Sequence, residues 1–189
     1  MKQQILYIQS SIFGDNGVSS GIARKLIDKL STTNASEVVE RNVSASEIPH
    51  FNFETITAIG EGKAALADEL IAEVQQADII IVGAPMYNFG IPTQLKSWFD
   101  HIARAGVTFK YSETGPVGLL GDKKVYVVTA RGGLHKGNGT DLDSSYLQTM
   151  FGFLGITDVE FIYAEGVNLG DDARSKSIAA AEQQVIALA

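Results

Sequence analysis

Three segments of this 189-residue sequence combine glycine, hydroxyl and aromatic residues in patterns suited to gripping a small ligand. The first runs Ser10-Ser11-Ile12-Phe13-Gly14-Asp15-Asn16-Gly17-Val18-Ser19-Ser20. It leaves an apolar stretch and enters a helical pattern, with Ser19 as the expected cap. Hydroxyls, a glycine-rich backbone and a helix N-terminus form an anion site, because unpaired N–H groups and the helix dipole both favour phosphate. The loop contains no Lys or Arg, so a nucleoside triphosphate with magnesium is disfavoured. A monophosphate would be held there by neutral donors. A plain Gly/Asn turn with a serine cap accounts for the same residues, and this loop alone does not choose.

The second segment is Ala84-Pro85-Met86-Tyr87-Asn88-Phe89-Gly90-Ile91-Pro92. Large apolar side chains in a loop are costly unless something covers them. A flat aromatic ligand would do so, with the backbone N–H groups of Asn88 and Phe89 facing its heteroatoms. A subunit interface or local packing would do so equally, and the two can coexist. The third segment is Thr129-Ala130-Arg131-Gly132-Gly133-Leu134-His135. Paired glycines permit close backbone approach to a ligand, and backbone donors there would stabilise negative charge on its edge. His135 is placed to assist or is a surface histidine; Arg131 joins this edge or pairs with an acid.

Several chemistries are excluded. The sequence has no cysteine, which removes disulfides, thiolate metal sites and the nucleophile of a low-molecular-weight phosphatase. His50, His101 and His135 are isolated, so no metal site is expected. A phosphoacceptor receiver needs acids after its first and third strands, where this chain has Ser10-Ser11 and Ala84-Pro85. The net charge of −7 and the absence of a basic face argue against nucleic acid. No apolar run is long enough to span a bilayer. Met1 to Ser11 reads as a buried strand rather than a signal peptide, so a cytoplasmic protein is expected.

The elements that must position these loops follow from hydrophobic period. Asp78–Ala84 carries a continuous β-branched run, the mark of a central parallel strand buried on both faces, and Gln3–Gln9 is a compact apolar run that reads as a first buried strand. Lys124–Thr129 reads as another buried strand, Val159–Ala164 as a fifth strand, and Glu37–Val43 as a weaker edge strand. Ser19–Leu30, Lys63–Gln76, Thr93–Ala105, Asp141–Leu154 and Asp171–Leu188 carry helical patterns. Ile48–Glu61 reads as irregular, and the stretch after Ala105 as a long loop. Five strands alternating with five helices predict a doubly wound, three-layer α/β fold in one domain, 1–189, with a parallel sheet ordered 2-1-3-4-5. In such folds ligands sit beyond the carboxyl ends of the strands, which is where strands one, three and four deliver the three loops.

With those residues in view, the sequence resembles the bacterial FMN-dependent NADH-azoreductases, also described as FMN-dependent NADH:quinone oxidoreductases, within the flavodoxin-like quinone reductases. The most specific segments are APMYNFGIPTQLKSWFDHIARAGVTFKY (Ala84–Tyr111), TARGGLHK (Thr129–Lys136) and GFLGITDVEFIYAEG (Gly152–Gly166). The resemblance implies bound FMN, NADH or NADPH as donor, quinone or azo acceptors, and a homodimer. It implies phosphate contacts from Ser11, Gly17, Val18 and Ser19. It sets Met86, Tyr87, Asn88 and Phe89 along the flavin ring, and Ala130, Arg131, Gly132 and Gly133 at its pyrimidine end. Tyr111 and Phe153 match aromatic positions of the substrate side, some supplied by the partner subunit, with His135 and Tyr111 as assisting groups and no obligate acid or base. The implied reaction is a ping-pong, two-electron reduction of quinones to hydroquinones and azo compounds to amines. The chain departs from the family where Gly17-Val18-Ser19 replaces the usual Ser-Gln-Ser, where Ala130 replaces Ser or Thr, and in a shorter Phe51–Gly62 segment. A flavodoxin-like one-electron carrier and a flavin-binding interaction module are the competing readings; the aromatic loop and Tyr111 favour the enzyme.

Overall fold

The computed structural model describes residues 2–45 and 48–188. The longest apolar runs become the middle of the sheet. β1 (Gln3–Gln9) pairs in parallel with both β2 (Ser36–Asn42) and β3 (Ile79–Gly83). β3 also pairs with β6 (Lys124–Arg131), and β6 with β7 (Asp158–Glu165), again in parallel. The strand period of two sorts side chains between the faces. Ile5, Tyr7, Ile79 and Ile81 pack under α1 (Val18–Thr33) and α6 (Asp171–Ala187). Leu6, Ile8, Ile80 and Val82 pack under α3 (Ala65–Gln76), α4 (Thr93–Ile102) and α5 (Leu142–Phe153). This is the three-layer architecture expected, with helices on both faces of one sheet.

The structure corrects the expected map in four places. The sheet order is β2-β1-β3-β6-β7 rather than 2-1-3-4-5, because two unforeseen strands take the intervening numbers. β4 (Phe109–Ser112) and β5 (Gly115–Gly118) form a separate antiparallel hairpin inside the stretch read as a loop. Strands of four residues are too short to carry a periodic signal. A helix, α2 (Phe53–Gly60), occupies the stretch read as irregular. The Asn52 carboxamide oxygen accepts from the Thr55 N–H at 2.9 Å and starts it. None of its residues is buried, and eight residues are too few for a helical period to stand out. Finally, α1 begins one residue before Ser19, and Gly17 is its N-cap.

Tyr7 makes one consequence of the double burial testable. Its side chain is fully buried beside Gly83. Burial pushes its phenol up to about 12, with Ser20 and Arg24 pulling the other way. The folded state therefore keeps a proton that the unfolded chain loses near pH 10. Stability from this group is intact below that point and is lost as pH rises towards about 12. Tyr7→Phe is expected to flatten the alkaline limb of the stability curve. Denaturant midpoints of both proteins across this pH range would reveal it, and parallel curves would refute it.

Candidate functional site

Parallel strands deliver their loops to one edge of the sheet. There the chain encloses a cavity of about 350 Å³. Ser11, Ile12 and Phe13 reach it from β1, and Pro85, Met86 and Tyr87 from β3. Ala130 and Gly132 line it at the end of β6, Val167 and Asn168 after β7, and Arg174 from α6. The walls are tied together. The Tyr87 hydroxyl accepts from the Ile12 N–H at 3.2 Å, and the Met86 N–H donates to the Ala130 carbonyl at 3.0 Å. The N–H groups of Gly166, Val167 and Asn168 donate to the carbonyls of Gly133, Arg131 and Gly132, at 2.9, 3.1 and 3.2 Å. Backbone pairing thus continues beyond the strands and fixes the loops relative to one another.

In the first loop, no side chain caps α1. Its leading N–H groups have no helical carbonyl to reach. Ser19 lies in the first turn and is buried, and its Oγ has no partner. Gly17 fits closely here, since a Cβ at this position would overlap the Ser11 side chain as it is now placed. Ser11, Gly17, Val18 and Ser19 therefore sit together at the helix start, although only Ser11 lines the cavity. Serine as the helix cap is the part of the expectation that fails: the backbone turns at Gly17, one step earlier, because a glycine fits against Ser11.

The second loop is a tight turn. Tyr87 and Gly90 exchange backbone hydrogen bonds of 2.9 and 3.0 Å around Asn88 (φ 50°) and Phe89 (φ 67°). Positive φ at both central positions is the mirror-image turn that asparagine tolerates and a bulky residue resists, at a cost on the order of 1–2 kcal/mol. The strain projects Phe89 outward, half exposed, with its ring edge-on to His135 at 5.8 Å. Met86 and Tyr87 form cavity wall, and Asn88 and Phe89 form the tip above it.

The third loop is anchored by a buried arginine. Arg131 is fully buried and meets Asp141 at 2.7 Å, Asp143 at 2.9 Å and Glu165 at 3.2 Å, with its guanidinium over the Tyr163 ring. Of the two roles open to its side chain, the structure has it paired with acids. Glu165 in turn accepts from the N–H groups of His135 and Lys136, both at 2.7 Å. Burial pushes the Asp143 carboxyl up, against the pull of Arg131. Burial acts the same way on Asp141, but the Gly137 N–H, Ser144 and Arg131 outweigh it and hold that carboxyl down. Gly132 packs against Asn168, and Gly133 against the His135 ring. The His135 Nδ1 is hydrogen-bonded to Thr140 Oγ1 at 2.8 Å.

Tyr111 and Phe153 stand apart from the cavity. Tyr111 is 76% exposed on β4. Its ring centroid is 5.4 Å from that of Phe109, which is 4.4 Å from that of Phe153. The hairpin thus presents an aromatic row whose outer member, Tyr111, is left largely uncovered by the described residues. Among the described residues no group of His, Cys, Asp and Glu is arranged to hold a metal. No helix among them is long and apolar enough to cross a membrane.

A family model described as flavodoxin-like fold matches residues 3–188. The sequence is 53% identical to the FMN-dependent NADH:quinone oxidoreductase of Saccharophagus degradans, over 97% of this chain and 92% of that one. The chain belongs to this family of flavodoxin-like quinone oxidoreductases. The relative named alike from Alcanivorax borkumensis is 46% identical over 97% of this chain and 98% of its own. Among solved structures, azoreductase AzrA superposes with a TM-score of 0.90 at 29% identity, covering 98% of each chain. The azoreductase from Bacillus anthracis gives 0.89 at 28%, with the same coverage.

In this quinone oxidoreductase family member, Ser11, Met86, Tyr87, Ala130 and Gly132 line one cavity, whereas Gly17, Val18, Ser19, Asn88, Phe89, Arg131 and Gly133 are not among its lining residues. Val167, Asn168 and Arg174 also line it and went unread. Their signal was available: Gly166-Val167-Asn168-Leu169-Gly170 directly follows the fifth sheet strand, where the carboxyl-end rule applies equally.

Proposed function

We propose that this chain is a homodimeric, cytoplasmic reductase in which one domain holds FMN at the carboxyl edge of the sheet. Electrons pass from NADH or NADPH to quinones or azo compounds. The observation that carries the reading is the uncapped start of α1, with the Ser19 hydroxyl buried and unpartnered in its first turn, at the end of the loop whose Ser11, Ile12 and Phe13 line the cavity that four loops share. Buried polar atoms are rarely left unsatisfied. A phosphate monoester would satisfy both the N–H groups and the hydroxyl, so the residues fit the group.

Bound FMN would supply the redox chemistry, accepting a hydride from the nicotinamide and returning two electrons to the acceptor in a ping-pong cycle. The protein's part is position and electrostatics. Ser11, Ser19 and the N–H groups of Val18 and Ser19 hold the phosphate. Met86, Tyr87, Asn88 and Phe89 flank the ring. Ala130, Arg131, Gly132 and Gly133 turn backbone towards its pyrimidine edge, where the N–H dipoles stabilise negative charge without reorganising. Arg131 acts there through Glu165, which fixes the loop. His135, oriented by Thr140, and Tyr111 assist at the rim. Tyr111 and Phe153, lying outside their own chain's cavity, reach the substrate side of the partner's site and help exclude water.

The test is direct. Purified protein supplied with FMN is expected to turn yellow and to oxidise NADH with menadione or methyl red, with parallel double-reciprocal plots. Asn88→Pro cannot adopt the observed φ of 50° and is expected to lower FMN occupancy at least tenfold. A colourless protein showing no heat of binding would end this reading. Intersecting plots would remove the shared-site cycle alone.

A further inference from the structure

The sequence has five arginines. Arg24 pairs with Asp15 and Glu40, Arg41 with Glu69 and Glu73, and Arg104 with Asp68. Arg131 has its three acids. Arg174 has no carboxylate partner among the described residues. The one hydrogen bond of its guanidinium among the described residues is long, from Nη1 to the Val167 carbonyl at 3.4 Å. The residue is half-buried and lines the cavity at the carboxyl edge of the sheet. It lies in the first turn of α6, where the helix dipole disfavours a cation. Asp171 and Asp172 share that turn but are exposed, and Asp172 is taken by Lys176 at 2.7 Å. A guanidinium carries five donors. This one, turned into a cavity with one weak acceptor, is the unmatched half of an ion pair.

Ser11, Ile12 and Phe13 share that cavity with Arg174, and they lead into the uncapped start of α1. The geometry points to Arg174 as the cation that completes the phosphate site, pairing with the phosphomonoester dianion of bound flavin mononucleotide. The inference rests on the flavin reading above and deepens it. The first loop has no positive residue of its own, and Gly17-Val18 lacks the hydroxyl and amide that the Ser-Gln-Ser pattern would offer. A charged donor from the far end of the chain makes up the deficit. The neutral-donor expectation then describes the loop and not the whole site.

The experiment titrates flavin-free protein with FMN and with riboflavin, which lacks the phosphate. Binding is followed by quenching of flavin fluorescence in the wild type, Arg174→Gln and Arg174→Lys. Arg174→Gln is expected to weaken FMN about ten- to a hundredfold, as loss of a charge-assisted hydrogen bond implies, and to leave riboflavin unchanged. Arg174→Lys is expected to recover part of the loss, because it keeps the charge but not the planar fork. An unchanged ratio of FMN to riboflavin affinity in Arg174→Gln overturns the proposal while leaving the flavin reading intact. That unchanged ratio with a higher KM for methyl red, an anionic acceptor, but not for menadione would transfer Arg174 to the acceptor and also overturn it. Equal weakening of both flavins would make the arginine structural and overturn it too. If the wild type binds neither flavin, this inference and the reading beneath it fall together.

Discussion

Arg131→Gln is expected to destabilise the fold by about 3–5 kcal/mol, the usual consequence of removing one side of a buried ion pair. Asp143 is 1% exposed, and among the described residues its only cationic partner is Arg131. Without that charge it is a carboxylate stranded in the interior. Asp141 and Glu165 lose the same partner. The loss should depend on pH, and its sign follows from Asp143. Burial already holds its carboxyl above the ordinary range, so the folded state binds a proton more readily than the unfolded chain. Lowering the pH therefore favours the folded state at this group, and removing Arg131 strengthens that tendency. The gap between variant and wild type should narrow as pH falls from about 8 to about 5. Urea unfolding of both proteins at each pH measures it. A gap that stays constant or widens at low pH would contradict this account of Asp143. Glu165 also holds the N–H groups of His135 and Lys136. Faster amide exchange at those two positions is the expected local signature.

Gly118→Ala comes second in expected size, at about 3 kcal/mol or more, beyond ordinary overpacking because backbone meets backbone. A Cβ on Gly118 would overlap the Gly155 N–H and the Leu154 carbonyl carbon. Gly155 answers in kind, with φ 94° and a Cβ position only 2.9 Å from the Gly118 carbonyl carbon. These two glycines press β5 onto the end of α5, and the adjacent Leu120 N–H bonds the Leu154 carbonyl at 2.9 Å. The hairpin that displays Tyr111 is seated by this contact. The variant is expected to lower thermal stability and to raise KM for the acceptor more than it weakens FMN. Gly121→Ala is the control: its Cβ would meet the Gly155 carbonyl at an ordinary 3.7 Å, and near-neutral stability is expected. Equal effects from the two substitutions would mean that the close approach is not what matters.

The amino-acid sequence by itself determined the sheet and its two covered faces. β1 and β3 are unbroken apolar runs, and the alternation of Ile5 and Tyr7 against Leu6 and Ile8 already assigns each side chain to a layer. It also determined which loops stand at the carboxyl edge, because a parallel strand has only one end from which to deliver its loop. These signals are local. Each rests on a run or a period within a dozen or so residues, which is the range over which backbone geometry repeats. Family-specific segments such as Ala84–Tyr111 extended that reading to chemistry.

Tertiary structure alone decided the rest, because the deciding partners are distant in the chain. Nothing near Arg131 says that it closes on Glu165, 34 residues away. The hairpin β4–β5 is too short for a period and is seated by Gly155, far along the sequence. α2 hides because its eight residues are too few for a helical period to stand out from the surrounding loop. Arg174 reads as one more charge on a surface helix until the fold sets it across a cavity from Ser11. Burial, electrostatic pairing and close backbone contact are properties of juxtaposition, and only the folded chain brings those residues together.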